Sequence, residues 1–132
     1  MRVTKVFYAS AALMGFLGVL AGAVGAHMIQ PGLSDIDANS YNTAVVYLFV
    51  HTLALMGTAA VISRGQDNWP LKIAGFGFLS GNLLFSGTIL VRLVFDYRAP
   101  MFFAPTGGTL LMLGWLALLV GVLIINDQEK YT

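Results

Sequence analysis

His27 and His51 are the two side chains in this sequence that titrate near neutral pH, and neither has a thiol to work with, because cysteine is absent. Disulfides, thiolate catalysis and Cys-ligated zinc or iron–sulfur sites are therefore excluded. Two histidines without a buried carboxylate beside them fall short of the three or four ligands that a zinc-type site needs. A haem held between the two fails on depth. His27 lies about two residues from the end of its apolar run and His51 about ten from the end of its own, a mismatch of about 12 Å at a rise of roughly 1.5 Å per residue. No Ser–His–acid constellation, no phosphate-binding glycine loop and no pair of carboxylates for acid–base work can be read from the sequence. The expectation is a protein with no cofactor and no catalytic activity.

What surrounds His51 is hydrocarbon. It falls near the middle of the run Tyr41 to Ile62, one of four such runs with Val6 to Ile29, Leu71 to Phe95 and Pro105 to Ile125. Each is long enough for a helix to cross a hydrocarbon core of about 30 Å, and a crossing helix satisfies its own backbone groups. An apolar fraction of 58% against 10% charged residues leaves no room for a soluble domain beside the spans. The net charge of +1, with no block of Lys and Arg, argues against a nucleic-acid partner. The joints between runs are short and force antiparallel neighbours, so the expected architecture is all-α: one integral-membrane domain over 1–132, an up-down-up-down four-helix bundle. The joint Gln30 to Ser40 reads as an ordered loop with capping residues before the second helix. Pro70 suits a first helical turn.

Polar groups at membrane depth are costly and so have to face inward. On a wheel of about 100° per residue, Thr43, Tyr47, His51 and Thr58 fall within about 80° of one another, a polar stripe turned toward the bundle. Asn82 is near the centre of the third run, with Ser86 one turn further along the same face. His51 and Asn82 should therefore share a depth and hydrogen-bond, the simpler reading being interhelical adhesion and the sharper one a proton relay or ligand site. Arg92, near the end of its span, is expected to reach for the headgroups or to pair with Asp96 one turn on, and His27 to buttress the first loop. The first span sets Gly15, Gly18, Gly22 and Gly25 along one seam, the third has Gly77 and Gly81, and the fourth has Gly107, Gly114 and Gly121. Their plain use is to pack the helices of one chain. Three seams in four helices also leave room for one to face another subunit.

Lys and Arg near the span ends set orientation. Arg2, Lys5, Arg64, Lys72 and Lys130 fall on one side and Arg92 and Arg98 on the other, so both termini are expected in the cytoplasm, or in the matrix if the protein is mitochondrial. The opening Met1 to Lys5, the apolar run and Ala21-Gly22-Ala23 resemble a secretory signal, but the run exceeds the roughly 7–15 residues of a signal core and is expected to remain as the first span.

Several blocks in order carry a likeness: Gly22-Ala23-Val24-Gly25-Ala26-His27, then Thr43 through Leu55 around Tyr47 and His51, then Phe85-Ser86-Gly87, then Ala104-Pro105-Thr106-Gly107-Gly108 with Gly114-Trp115. Together they resemble the small four-helix membrane proteins of domain-of-unknown-function family 423, which includes the animal transmembrane protein 256. The resemblance implies a multi-pass protein of bacterial inner membranes, or of the mitochondrial inner membrane, with no settled activity. Its recurring positions map onto His27, Tyr47, His51, Ser86, Pro105, Thr106, Gly107, Gly108 and Trp115. Apart from the bilayer itself, the expected partners are other membrane subunits or a second copy. The chain then acts as an accessory subunit or assembly and stability factor, the alternative being a small oligomeric transporter, channel or lipid-binding bundle that uses the polar path around His51.

Overall fold

The structure, a computed structural model, describes residues 2–125; Lys130, one of the charges used for orientation, lies outside them. Helix α1 runs Arg2–Val24 and continues through a π turn, Gly25–Ile29, and a 3-10 turn, Gln30–Gly32. Helix α2 is Asp35–Ser63. The third span is α3, Trp69–Asn82, a second π turn, Leu83–Gly87, and α4, Thr88–Phe95. Helix α5 is Phe103–Leu123. Among the described residues four helical rods are long and apolar enough to cross a membrane, Arg2–Gly32, Asp35–Ser63, Trp69–Phe95 and Phe103–Leu123.

Local chemistry sets the ends. The Ser34 hydroxyl accepts from the Asp37 amide at 3.2 Å, and the Asn68 carboxamide accepts from the Leu71 amide at 3.0 Å with Pro70 in the first turn, so each cap satisfies an amide with no helical partner. The first joint is thus shorter than its sequence suggests, because Asp35 to Ser40 already belong to α2. Asp96 ends α4 in the left-handed region at φ 52°, a conformation that Asp tolerates better than most residues.

The rods alternate in direction. The Tyr8 and Ser63 hydroxyls meet at 3.3 Å, and the Asn68 side chain donates to the Gly121 carbonyl at 2.9 Å, which gathers the start of α1, both ends of the α2–α3 joint and the end of α5 at one face of the bundle. The opposite face is tied by Gln30 donating to Asn42 at 2.5 Å and by an ion pair of Arg92 with Asp37 at 2.9 Å. We call these the terminal face and the loop face.

The glycines set how close the rods come. A Cβ on Gly77 would stand 3.1 Å from the Cα of Gly114, and one on Gly107 would stand 2.8 Å from the Gly81 carbonyl oxygen, so α3 and α5 meet backbone to backbone. Gly81 faces Gly107 and Leu111, Gly114 faces Phe78 and Ala74, and Gly121 faces Leu71. The first seam faces α2: Gly18 receives the Phe49 ring, Gly25 the Tyr41 ring, and Gly15 and Gly22 lie in ordinary contact with Thr52 and Val45. All three seams are occupied within the chain. Phe7, Met14, Leu48, Leu55, Phe78 and Leu111 are among the buried apolar residues of the centre, and the outward faces are apolar too, as bilayer contact requires.

Candidate functional site

Three elements place the central polar groups. His51 is buried on α2, and its Nδ1 lies 2.8 Å from the Tyr47 carbonyl one turn back. Its Nε2 lies 3.1 Å from the indole Nε1 of Trp115 on α5. An indole nitrogen can only donate, so Nε2 accepts, and the ring is the Nδ1–H tautomer donating to the Tyr47 carbonyl. Both nitrogens are satisfied. The geometry is that of a crosslink between α2 and α5, and it leaves no free lone pair to relay a proton or ligate a metal. Rings close around it: Tyr47 at 5.4 Å, Phe78 at 6.0 Å and Trp115 at 6.0 Å from His51 by centroid, with Tyr47 also 4.8 Å from Phe85.

The bond expected between His51 and Asn82 does not form. Both side chains do sit at mid-membrane depth, but they leave their helices in different directions. Asn82 turns toward α1 and α2, where its Nδ2 donates to the Leu48 carbonyl at 3.1 Å and approaches the Met14 sulfur at 3.8 Å, and its Oδ1 accepts from the Ser86 hydroxyl at 3.3 Å. Two separate polar clusters result, one on each side of α2, in place of a continuous path. The stripe on α2 is also less inward than its spacing suggests: Thr58 is buried and donates to the Ala54 carbonyl at 2.8 Å, whereas Tyr47 is 40% exposed.

Around His51 the surface between α2 and α5 opens as a cleft of about 520 Å³ lined by Tyr47, Val50, His51, Phe85, Thr109 and Trp115. The Tyr47 hydroxyl has no hydrogen-bond partner among the described residues. Thr109 spends its own hydroxyl on the Pro105 carbonyl at 3.0 Å. The cleft thus offers aromatic walls and one free phenol at membrane depth. Of the positions that carry the family likeness, Tyr47, His51, Pro105, Gly108 and Trp115 all line it.

The remaining expected residues lie elsewhere. Arg92 pairs with Asp37 of α2 rather than with Asp96, because the left-handed turn at Asp96 carries that carboxylate away from α4. His27 is exposed on the first π turn, and no hydrogen bond joins it to the loop it was expected to buttress. Among the described residues no three His, Asp or Glu side chains approach closely enough to share a metal ion. Two participants were missed in the sequence. Trp115 is one, although an indole N–H in mid-span signals a need for an acceptor. Thr52 is the other: its buried hydroxyl has no partner.

The family model described as a protein of unknown function, DUF423, matches residues 21–108. The chain belongs to the DUF423 family. Its relatives include the UPF0382 inner membrane protein YgdD of Escherichia coli K12, 33% identical over 118 residues that cover 89% of each chain. The UPF0382 membrane protein of Staphylococcus aureus RF122 is 31% identical over 116 residues, 88% of this chain and 93% of the relative. That of Haemophilus influenzae is 32% identical over 110 residues, 83% and 87%. No solved structure matches. This DUF423 protein is accordingly a membrane protein, and the match to the family covers three of the polar residues described above, His51, Asn82 and Ser86.

Proposed function

We propose that this DUF423 protein is a non-catalytic membrane component, an accessory subunit or stability factor that works by lateral association in the bilayer, and that the cleft between α2 and α5 is where a partner helix docks. The observation that carries this reading is the Tyr47 phenol. It stands half-exposed at membrane depth with no acceptor, while the neighbouring histidine is fully bonded. An unsatisfied hydroxyl facing hydrocarbon costs a few kcal/mol, and a small polar residue on a neighbouring helix would remove that cost. The charges at the span ends support an orientation with the terminal face toward the cytoplasm.

Extraction in mild detergent followed by native-gel mass analysis tests this. A stoichiometric partner that is recovered with the wild type and lost with Tyr47→Phe supports it. A species of four or fewer identical chains with nothing else bound, or a partner that Tyr47→Phe leaves in place, refutes it. The division of the polar groups into two clusters favours this reading over conduction along a path through His51. The alternative of a lipid-binding bundle draws on a different opening, between α1 and the third span.

A further inference from the structure

On the loop-face half of the bundle, α1 and the third span part, and a groove of about 410 Å³ opens between them. Its walls are Leu17, Leu20 and Val24 on α1 and Leu83, Leu90 and Val94 across from them. Its floor, at mid-membrane, is Met14, Leu48 and the bonded pair Asn82 and Ser86, whose hydrogen bonds are already made to one another and to the Leu48 carbonyl. The groove therefore asks nothing polar of its occupant. Two small residues hold it open, Ala21 on one wall and Gly87 on the other, and a Cβ on Gly87 would meet no atom within 4 Å. Both π turns border it. The first begins at Gly25, one residue after Val24, and the second, Leu83–Gly87, forms part of its wall. Wide turns of this kind are rare in helices and concentrate where a helix does something besides packing.

We infer that this groove holds one acyl chain of a bilayer phospholipid, drawn from the leaflet on the loop-face side. The inference rests on the lipid-binding reading and names its occupant. Length is the first argument. From Met14 to Val24 the groove runs about 15 Å along α1, half of a hydrocarbon core of about 30 Å, so it begins at the mid-plane and ends at the headgroup level. Width is the second. A volume of about 410 Å³ spread over that length gives a cross-section of about 27 Å², whereas a helix about 10 Å across needs roughly 80 Å². A single hydrocarbon chain fits and a partner helix does not. Position is the third: the groove opens sideways at a depth where lipid chains are the solvent, and an apolar void of this size between packed helices would otherwise forfeit its dispersion contacts.

Native mass spectrometry of the full chain, taken from vesicles of dioleoyl phosphatidylcholine into mild detergent, tests the assignment. The wild type should retain one phospholipid per chain after the annular lipid has been stripped. Gly87→Leu projects a side chain into the open groove and should lower that occupancy by about tenfold, what losing two buried methylene groups from the chain would cost. Ala21→Leu, from the opposite wall, should act the same way and stands in if the first variant does not fold. Gly57→Leu, at a helical glycine with equally free surroundings away from the groove, should leave retention unchanged. If the wild type keeps a phospholipid that neither groove variant displaces, the groove assignment fails while lipid binding survives. If no lipid is kept, or if the retained mass is a second copy of the chain, both fail.

Discussion

Thr52 supplies the sharpest test of the packing logic. Five other hydroxyls along the helices, those of Ser40, Thr43, Thr58, Ser80 and Thr109, donate to the carbonyl four residues back. For Thr52 that carbonyl belongs to Leu48, and Asn82 has taken its free lone pair at 3.1 Å. The Thr52 hydroxyl is left buried and unpartnered as a consequence. Thr52→Val, which keeps the shape and deletes the orphan, should therefore stabilise the protein by about 1–2 kcal/mol, the penalty of an unsatisfied hydroxyl. Thr58→Val removes a bond that is made and should destabilise by about 1 kcal/mol. In an Asn82→Ala background the Leu48 carbonyl is free again, Thr52 can bond back to it, and Thr52→Val should turn from stabilising to destabilising. The cycle should thus show a coupling of about 2 kcal/mol between two residues that share no bond. Reversible unfolding by dodecyl sulfate in mixed micelles, followed by helicity, reads all four proteins. A loss for Thr52→Val equal to that for Thr58→Val, or additivity in the double variant, would refute the reasoning.

Gly107→Ala puts a methyl into the backbone of the second π turn, where nothing flexible can yield, and should lower stability in the same assay by about 1–3 kcal/mol, while Gly57→Ala should be neutral or better. Trp115→Phe strips the buried His51 Nε2 of its donor and should cost about 1–3 kcal/mol, with nitrogen NMR of the wild-type ring reporting the Nδ1–H tautomer; an Nε2–H ring would contradict the crosslink. Arg92→Ala removes an ion pair whose side chains are 44% and 35% exposed, so its loss should stay below about 1 kcal/mol and shrink further in salt.

Depth was legible in the sequence, and direction was not. The four apolar runs gave the rods and their order, because the need to satisfy every backbone group in hydrocarbon leaves little else for such stretches to do. They also put His51 and Asn82 at one level. The bond between them was not to be had, because a π turn and the rotation of α3 about its own axis decide which way Asn82 points, and neither leaves a mark in composition. Gly77, Gly81, Gly107 and Gly114 announced close approach, yet only the fold shows α3 and α5 using one another's glycines. The beginning of α2 was hidden by its own cap: Asp35, Asp37 and Asn39 look like loop, and they are favourable in a first turn behind Ser34 because the helix dipole welcomes them. Arg92 found Asp37 because the loop-face ends of α2 and α4 lie side by side, a proximity across 55 positions that local spacing cannot express.

The second wide turn makes the third span sensitive to length in an unusual way. A regular helix advances about 100° per residue, so deleting a single residue between Leu83 and Gly87 would restore ordinary winding and rotate everything after it by about that angle. Leu90, Val91, Val94 and Phe95 would swing off the acyl groove together, while Trp69 to Asn82 stayed against α5. One codon thus separates a bundle that has a slot from one that is sealed, and a relative lacking that codon would cross the bilayer just as well with nowhere to put a lipid tail.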